Sequence, residues 1–440
     1  MDIEVLKQKI LDLAIRGKLV PQDPSDEPAS VLIEKIKAEK AKLIKEGKIK
    51  ASKDDSYIYK GSDNCYYEKK GNTITNISNE IPFDLPTNWS WARLSAIGNT
   101  NIGLTYRPEN ICDNGTIVLR SSNIKNNKID LNDLVRVNTE IQNNQYINNN
   151  DILICARNGS KALVGKCALF TCDGERMAFG AFMAIFRTIC YKYTYYFFTS
   201  TQFRSNFENE DNKQINQVTQ EILKNSLIPV PPLKEQYKIS EMLDKVFSLL
   251  DNISMYISSI KVLVNCAKIK ILENIYGENS SYKSYYENKY TLGELLPYEQ
   301  PGPYIVKSTD YDDSFRTPVI TPGKSFILGY TAENDGIYSV GNSKVIVFDD
   351  FTTSSRLIDF NFKVKSSAMK ILKTSNSDMF NIEYLYYLLQ TLYVNNDTHK
   401  RYWISEYAPL RVKVHQYEEQ LQIINYINDA YKILDSINSA

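Results

Sequence analysis

Apolar residues in the middle of the chain follow a regular helical pattern. Between residues 234 and 276 they recur at alternating spacings of four and three, at Ile239, Leu243, Val246, Leu250, Ile253, Ile257, Ile260, Val264, Ala267 and Ile271. A period of about 3.5 residues places all of them on one stripe of a helix, as in the seam of a coiled coil. The pattern predicts one long helix from Lys234 to Tyr276 that stops at Gly277. The alternative is a long amphipathic helix lying on a globular core.

Both ends of the chain carry shorter versions of this stripe. The N-terminal version has Ile3, Leu6, Ile10 and Leu13 and ends at Gly17, and the C-terminal version has Ile423, Ile427, Ala430, Leu434 and Ile437. We predict that the two termini together build a partner arm for the central helix. The expected helix-pairing and partner-binding positions are Leu6, Ile10, Leu13, Ile239, Leu243, Leu250, Ile257, Ile423, Ile427 and Leu434.

An internal repeat supports this arrangement. Residues 233–239 align with residues 417–423 at an offset of 184, since 420 − 236 = 184. Six positions are identical at that offset: Glu235/Glu419, Gln236/Gln420, Ile239/Ile423, Leu250/Leu434, Asp251/Asp435 and Ile253/Ile437. Each half of the chain is therefore predicted to be a globular part, then a short strand, then a helix.

Shorter apolar runs predict strands and helices in the two globular parts. In the first part the expected strands are 116–119, 151–156, 162–170 and 182–186, followed by an aromatic helix at 191–207. In the second part they are 325–330, 344–348 and 368–372, followed by a helix at 382–392. Residues 31–50 read as a charged helix with a solvated lysine face, and residues 51–80 as a linker.

The predicted fold class is therefore α+β, with two β-rich globular domains joined by long antiparallel coiled-coil helices in a pseudo-two-fold repeat. The domain boundaries that we predict are an N-terminal helix at 1–20, a charged helix and linker at 21–88, a first domain at 89–230, a spacer helix at 231–277, a second domain at 278–415 and a C-terminal helix at 416–440.

Composition narrows the class of protein. The chain has 440 residues with 52 basic and 52 acidic side chains, so it is not a uniformly basic nucleic-acid binder, although local basic patches remain possible. Its seven cysteines form no CxxC pair and it has only two histidines, which argues against a zinc site and for a reducing, cytoplasmic setting. We see no signal peptide and no run of about 18 apolar residues, so we expect no membrane span.

The sequence lacks recognisable catalytic motifs. Lys324-Ser325 follows Gly323 but Pro318 occupies the first glycine position of a phosphate-binding loop, and Asp63 with Glu68-Lys-Lys70 fits a nuclease pattern only by chance. No glycine-rich adenosylmethionine loop is present. We therefore predict no catalytic residues, no bound metal and no cofactor in this chain, which favours a binding or scaffolding protein.

Three segments resemble a known family. They are KQKILDLAIRGKLVPQ near the N-terminus, IPFDLPTNWSWARL before the first domain, and IPVPPLKEQ at the start of the long helix. With the duplicated architecture, they are similar to the specificity subunit of Type I restriction–modification systems. The second copy, VKVHQYEEQ, lacks the Pro-Pro pair.

The resemblance implies two target recognition domains that each read one half of a split, asymmetric double-stranded DNA site. It implies two DNA methyltransferase (modification) subunits, which carry S-adenosylmethionine and methylate adenine N6, and restriction subunits, which use ATP and magnesium to translocate and cleave DNA. This chain would choose the sequence and would itself be non-catalytic.

Base reading needs forked hydrogen-bonding side chains on loops between strands. In the first domain the candidates for DNA contact are Arg107, Arg120, Ser121, Asn123, Lys125, Arg157, Asn158, Gly159, Ser160 and Lys161, where the glycine would allow close approach of the backbone. In the second domain they are Lys307, Ser308, Thr309, Arg316, Lys324, Thr353, Ser354 and Arg356. Ordinary surface turns are the alternative for all of these loops.

Three other functions stay open from the sequence alone. The chain could be a coiled-coil scaffold that does not touch DNA, a specificity subunit of a related methylation-only or Type II-like system, or a single-chain nuclease or methyltransferase. The missing motifs argue against the last of these, and the basic loops argue against the first.

Overall fold

The structure is a computed structural model of the chain. It describes residues 2–47, 56–171, 174–207, 217–277, 280, 282, 285–321, 325–395 and 400–439, with the backbone alone at 285–288 and 438–439. The chain divides into two compact units, Met1–Ser254 and Met255–Ala440, which we describe separately.

The first unit contains six helices and the beginning of a seventh within the described residues. They are α1 (Ile3–Ile15), α2 (Ala29–Lys45), α3 (Leu94–Ile97), α4 (Tyr191–Phe198), α5 (Thr201–Arg204), α6 (Gln220–Asn225) and α7 (Leu233–Tyr276). The side chain of Asp2 caps α1 by accepting from the backbone N–H groups of Glu4 and Val5. Helix α7 begins and ends within one residue of its predicted limits.

In the described part of the first unit, fourteen strands form five small sheets. The strands are β1 (Ser56–Lys60), β2 (Tyr66–Lys70), β3 (Thr73–Asn76), β4 (Ser90–Arg93), β5 (Asn99–Ile102), β6 (Ile111–Leu119), β7 (Ile124–Lys125), β8 (Lys128–Ile129), β9 (Val135–Val137), β10 (Ile152–Cys155), β11 (Cys167–Leu169), β12 (Ala178–Phe179), β13 (Met183–Arg187) and β14 (Leu227–Val230). The sheet orders are β1-β2-β3, β11-β10-β13-β5, β12-β6-β9, β14-β4 and β7-β8. Only the β6–β12 pair among them is parallel.

The second unit has the same kind of architecture. Its elements are α8 (Leu292–Leu295), α9 (Ile382–Thr391), a π-helical turn (Trp403–Tyr407) and α10 (Tyr417–Ser439), with strands β15 (Tyr285–Thr291), β16 (Tyr298–Glu299), β17 (Thr317–Ile320), β18 (Ile327–Thr331), β19 (Val345–Asp349), β20 (Ser355–Ile358), β21 (Lys363–Val364), β22 (Met369–Leu372) and β23 (Arg411–His415). The sheet orders are β15-β23, β16-β22-β19-β20 and β18-β17-β21, and β17 pairs with β21 in parallel.

Two sheets of the first unit match two sheets of the second unit strand for strand. The four-stranded order β11-β10-β13-β5 corresponds to β20-β19-β22-β16, and the three-stranded order β9-β6-β12 corresponds to β18-β17-β21. Helix α7 begins at Leu233 and α10 at Tyr417, and 417 − 233 = 184, the offset of the sequence repeat. The α+β class and the duplicated plan of globular part, strand and helix are therefore confirmed.

The identical glutamines of the repeat make the same contact in both units. Nε2 of Gln236 donates to the carbonyl oxygen of Pro231 at 2.9 Å, and Nε2 of Gln420 donates to that of His415 at 2.8 Å. Both side chains are buried. Because each ties the strand to the first turn of the following helix, these glutamines set how the helix leaves the globular part.

The three family-like segments meet around the start of α7. The indole nitrogen of Trp89 donates to Oε2 of Glu235 at 2.9 Å, and burial raises the pKa of that carboxyl. Gly17 has a φ of +67°, and a Cβ there would lie 2.6 Å from Cγ of Pro86. These segments therefore pack against one another in the first unit.

The terminal helices contact α7 through a repeated ion pair. In the first unit Nζ of Lys7 lies 2.7 Å from Oδ1 of Asp251, and in the second unit Nζ of Lys268 lies 2.6 Å from Oδ1 of Asp435. The lysines are also related, because residues 7–12 (KQKILD) resemble residues 268–273 (KIKILE) at an offset of 261. Each terminal helix therefore packs on one end of α7, as predicted.

The predicted seam is only partly buried. Of the helix-pairing candidates, Ile239, Leu243, Leu250, Ile423 and Ile427 are buried, and Leu6, Ile10 and Leu434 are half-buried. Leu13 is 42% exposed and Ile257 is 37% exposed, so within the described chain they are not buried, and their pairing or partner-binding role stays a prediction. Helix α1 instead buries Leu11, Ala14 and Ile15, a helical face that packs on the globular core, and residues 251–263 of α7 are exposed throughout.

Two predictions are corrected. Residues 51–80 contain the antiparallel sheet β1-β2-β3, where a linker was expected, and Glu68 of that sheet forms an ion pair with Arg93 at 2.8 Å. Only residues 167–169 of the expected strand 162–170 are extended, because residues 161–163 form a 3-10 turn.

The helix α7 also departs from one expectation about composition. Among the described residues, α7 is long enough and apolar enough to cross a membrane, judged by length and composition alone. No such segment was expected from the sequence. A single helix of this kind is weak evidence for a span. Asp251, Asn252 and Lys261 lie in the same stretch of the helix.

Candidate nucleic-acid interface

The loops singled out from the sequence occupy matching positions in the two units. Arg107 follows β5 and Lys307 follows β16, each on the connection that leads into the central strand of a three-stranded sheet. This match is seen in the backbone, because Leu104 N–H donates to Phe179 at 2.7 Å and Val306 N–H donates to Val364 at 2.9 Å.

The loop after β10 likewise matches the turn after β19. Ala156 N–H donates to the carbonyl oxygen of Phe182 at 2.9 Å, and Asp350 N–H donates to that of Ala368 at 2.9 Å. The candidate residues 157–161 and 353–356 therefore lie at equivalent places in the two units. The remaining pair is the loop after β6, with Arg120, and the loop after β17, where Lys324 lies outside the described residues.

Two candidate loops of the first unit are in direct contact. Nδ2 of Asn158 donates to Oγ of Ser121 at 3.2 Å, and Nζ of Lys166 donates to the carbonyl oxygen of Ser121 at 3.5 Å. Because the loop after β6 and the loop after β10 are joined in this way, their polar side chains form one surface.

Asn123 does not belong to that surface, and its prediction is corrected. Its side chain is fully buried, and Nδ2 donates to the carbonyl oxygens of Asp130 and Asp133 at 3.0 and 2.8 Å. Oδ1 accepts from the backbone N–H of Arg120 at 2.9 Å. A side chain with these bonds holds the loop together and is not available to a base.

Acidic neighbours neutralise two basic candidates of the first unit. Nη2 of Arg120 lies 2.9 Å from Oδ2 of Asp133. Lys125 forms an ion pair with Asp130, whose pKa is lowered by the hydrogen bond from that lysine. Phosphate binding by either cation would require it to exchange a carboxylate partner for a phosphate.

The tip of the loop after β10 is exposed and open. A Cβ at Gly159 would have no atom within 4 Å, so this glycine is not required by packing within the chain. Ser160 and Lys161 are exposed, and the backbone N–H of Ser160 is held by Oδ1 of Asn158 at 3.0 Å. Arg107 is exposed on the neighbouring connection.

Arg157 is held in a different way from the other basic side chains. Its Nε and Nη2 donate to Oε1 of Gln217 at 3.1 and 2.5 Å, and the two residues also form an isolated β-bridge. The neighbouring Phe182 is 62% exposed. Neither Gln217 nor Phe182 was singled out from the sequence.

The second unit combines exposed hydroxyls with paired charges. Nζ of Lys307 lies 2.7 Å from Oδ2 of Asp335, and this hydrogen bond raises the pKa of Lys307. Oε1 of Glu333 accepts from the backbone N–H groups of Lys307 and Ser308. Thr309 and Arg316 are exposed.

The turn between β19 and β20 is tightly built. Thr353 has a φ of +60°, and its N–H donates to the carbonyl oxygen of Asp349 at 2.9 Å. Ser354 and Arg356 are exposed, and the guanidinium of Arg356 lies 5.9 Å from the ring centre of Phe326. Below them the buried Asp350 accepts from the backbone N–H of Trp403 at 2.7 Å.

The repeat also points to Arg401, an exposed basic residue that is not among the sequence-based candidates. Val218 N–H donates to the carbonyl oxygen of Ala156 at 2.7 Å, and Tyr402 N–H donates to that of Asp350 at 2.9 Å. Because 402 − 218 = 184, the equivalent of Gln217 is Arg401, which is exposed. Within the described ranges, no group of three or more His, Cys, Asp or Glu side chains could hold a metal ion.

The sequence is similar to a family model and to individual proteins of the same kind. Residues 86–261 match the family model of the Type I restriction modification DNA specificity domain. The chain is 42% identical over 151 residues to the Type I restriction enzyme EcoR124I/EcoR124II specificity subunit of Escherichia coli, covering 34% of this chain and 37% of that one. It is 30% identical over 276 residues to the EcoAI specificity subunit of Escherichia coli, covering 60% of this chain and 42% of that one. The matches thus span about two fifths of these relatives' length.

A solved structure has the same fold. It is described as "Structural basis underlying complex assembly and conformational transition of the type I R-M system", with a TM-score of 0.58 at 14% identity, covering 81% of this chain and 94% of that one.

Proposed function

We propose that the whole chain is the specificity subunit of a Type I restriction–modification complex, because residues 86–261 match the family model of the Type I restriction modification DNA specificity domain. In this proposal each unit reads one half of a split DNA site. The observation that carries the proposal is the placement of polar, partly basic loops at matching positions of two duplicated units. Two similar modules on one chain suit a site with two half-sites at a fixed separation.

The two half-sites should differ, because the matching loops carry different chemistry. The first unit presents Arg157 and Asn158, which have forked hydrogen-bonding groups, and the second presents Thr353, Ser354 and Arg356. Arginine favours guanine and asparagine favours adenine, whereas hydroxyls contact several bases and phosphates. A duplicated scaffold with divergent loops therefore favours an asymmetric site.

The chemistry of the reaction belongs to the partners in this proposal. Two modification subunits would carry S-adenosylmethionine and methylate adenine N6, and restriction subunits would use ATP and magnesium. The chain itself would be non-catalytic and would act in the cytoplasm. The two copies of the strand-to-helix junction that contain Gln236 and Gln420 support two modification subunits in this proposal.

The test is to express this chain with its modification subunits and to map methylated adenines across the host genome. We expect methylation at a split motif with two unlike halves, and no methylation when this chain is omitted. The purified chain alone should bind the mapped motif but should neither methylate nor cut it. Methylation that does not depend on the chain, or a chain that binds no DNA, would contradict the proposal and favour a coiled-coil scaffold that does not touch DNA.

A further inference from the structure

Three chain segments converge on the corner that contains Arg157. The backbone N–H groups of Ala156 and Arg157 both donate to the carbonyl oxygen of Phe182, at 2.9 and 3.0 Å, and Val218 N–H donates to the carbonyl oxygen of Ala156 at 2.7 Å. These bonds fix the backbone on both sides of the Arg157–Gln217 bridge. The side chains therefore leave a rigid base, as a recognition site requires.

The hydrogen bonds of Arg157 leave a specific set of donors open. A guanidinium has five N–H donors, and the Nε and Nη2 bonds to Oε1 of Gln217 use two of them. Two donors on Nη1 and one on Nη2 then remain, so the end of the guanidinium can still donate from both terminal nitrogens. A two-pronged donor of this kind matches the O6 and N7 acceptors of guanine in the major groove.

The positive charge of Arg157 is also less neutralised by acidic side chains than the charges of the neighbouring basic candidates. Arg120 and Lys125 are paired with Asp133 and Asp130. Within the described residues, the partner of Arg157 is the neutral amide of Gln217. Arg157 can thus approach DNA without first giving up a carboxylate.

We propose that Arg157 and Gln217 act as one recognition unit that reads a guanine in the half-site of the first unit. Arg157 contacts the base, and Gln217 is a positioning residue that aims the guanidinium. This inference rests on the proposed function and adds to it the base and the residue pair.

The equivalent corner of the second unit is built from different residues. Phe351 follows Asp350 as Arg157 follows Ala156, and Arg401 takes the place of Gln217. The arginine there comes from the other side of the corner. A change at Arg401 should therefore alter only the other half of the site, which makes it a matched comparison.

The experiment maps methylated adenines with the full complex that contains the wild-type chain, Arg157→Lys, Gln217→Ala or Arg401→Lys. Lysine at position 157 keeps the positive charge but cannot donate from two terminal nitrogens. Alanine at position 217 keeps the arginine but removes the two hydrogen bonds that hold its guanidinium. We expect Arg157→Lys and Gln217→Ala to lower the preference for guanine at the same single position by about 5- to 150-fold, as a two-pronged contact predicts. The other half-site should be unchanged.

The control is Arg136→Lys, because Arg136 is also a surface arginine with a two-pronged partner, Glu175, at 2.6 and 2.8 Å. It should leave the motif as it is. The inference is overturned if Arg157→Lys and Gln217→Ala leave every position unchanged, or if Gln217→Ala weakens all sequences alike. If the wild-type complex methylates no split site, the proposed function itself fails.

Discussion

Identical residues in the internal repeat include polar side chains that are buried, and their hydrogen bonds explain why they persist in both copies. Gln420 makes more of these bonds than Gln236, because its Oε1 also accepts from the backbone N–H of Asn381 at 2.8 Å and its Nε2 also donates to Met379 at 3.0 Å. A buried backbone group without a partner costs about 1–3 kcal/mol.

Gln236→Leu should therefore lower the free energy of unfolding of the first unit by about 1–3 kcal/mol, and Gln420→Leu should lower that of the second unit by more. Chemical denaturation of the purified chain measures both. Gln416→Leu is the control, because Gln416 is exposed and its change should have little effect. Equal losses at 236 and 416 would contradict the role assigned to these bonds.

Two glycines with the same backbone conformation should respond differently to substitution. Gly17 and Gly47 have φ values of +67° and +69°, but a Cβ at Gly17 would clash with Pro86 while a Cβ at Gly47 would meet nothing within 4 Å. Gly47→Ala should cost about 1 kcal/mol for the left-handed conformation alone. Gly17→Ala should cost about 1–3 kcal/mol more for overpacking, as thermal unfolding would measure. Similar costs would mean that Pro86 moves freely.

His415 should make the second unit sensitive to acid. Burial lowers the pKa of its imidazole below the ordinary value of about 6.5. Between that folded-state pKa and 6.5 the unfolded chain binds more protons than the folded one, so stability is full above about pH 6.5 and falls as the pH falls. Urea unfolding at about pH 7.5 and about pH 5.5 should show a loss in the wild type that is smaller in His415→Gln. An equal loss in both would place the acid sensitivity elsewhere.

At the scale of elements, the periodicity of apolar residues predicted the long helices and the buried strands. It did not predict which parts of the helices are buried against other elements. The stripe from 239 to 271 is continuous in the sequence, yet Ile257 is exposed while Leu243 is fully buried. Periodicity reports which side chains share a face, and burial depends on a partner that the local pattern does not contain. The exposure of Leu13 could have been expected from the 261 offset, because its equivalent, Asn274, is polar.

The sheet β1-β2-β3 was missed for a different reason. Its strands are rich in Tyr, Lys and Thr, and β3 is exposed along its whole length, so no apolar alternation distinguishes it from a linker. In the candidate interface, loop positions could be predicted from strand ends and turn residues. The partners Asp133 and Gln217 could not, because they are 13 and 60 residues away in the chain from Arg120 and Arg157.

Because α7 is buried unevenly, replacing its apolar side chains by alanine should destabilise the protein to different degrees along the helix. Leu243→Ala should lower the free energy of unfolding by about 2–5 kcal/mol, because it leaves a cavity in the core of the first unit. Ile257→Ala, at a side chain that is 37% exposed, should change it by less than about 1 kcal/mol in the isolated chain. Equal losses measured by denaturant unfolding would show that the two positions are packed alike.

For the whole molecule, duplication predicts that the two units can be changed independently. Replacing residues 89–230 by the corresponding domain of a relative should change one half of the methylated motif and leave the other half as it was. The reason is that the reading loops of each unit lie within that unit. Mapping methylated adenines in cells that carry the hybrid would measure this, with the unchanged second half as the internal control. A change in both halves would contradict independent reading.

The bond between Trp89 and Glu235 has a spectroscopic consequence. The chain has three tryptophans, of which Trp89 and Trp91 lie in the first unit and Trp403 alone lies in the second. Trp403 is buried between Phe348 and Tyr407, with ring centres 5.0 and 6.3 Å away. In a Trp403→Phe variant the tryptophan fluorescence would therefore report on the first unit only, and a carboxylate next to Trp89 makes that signal sensitive to pH. The melting of the first unit could then be followed by its own light emission, without a label, in the intact chain.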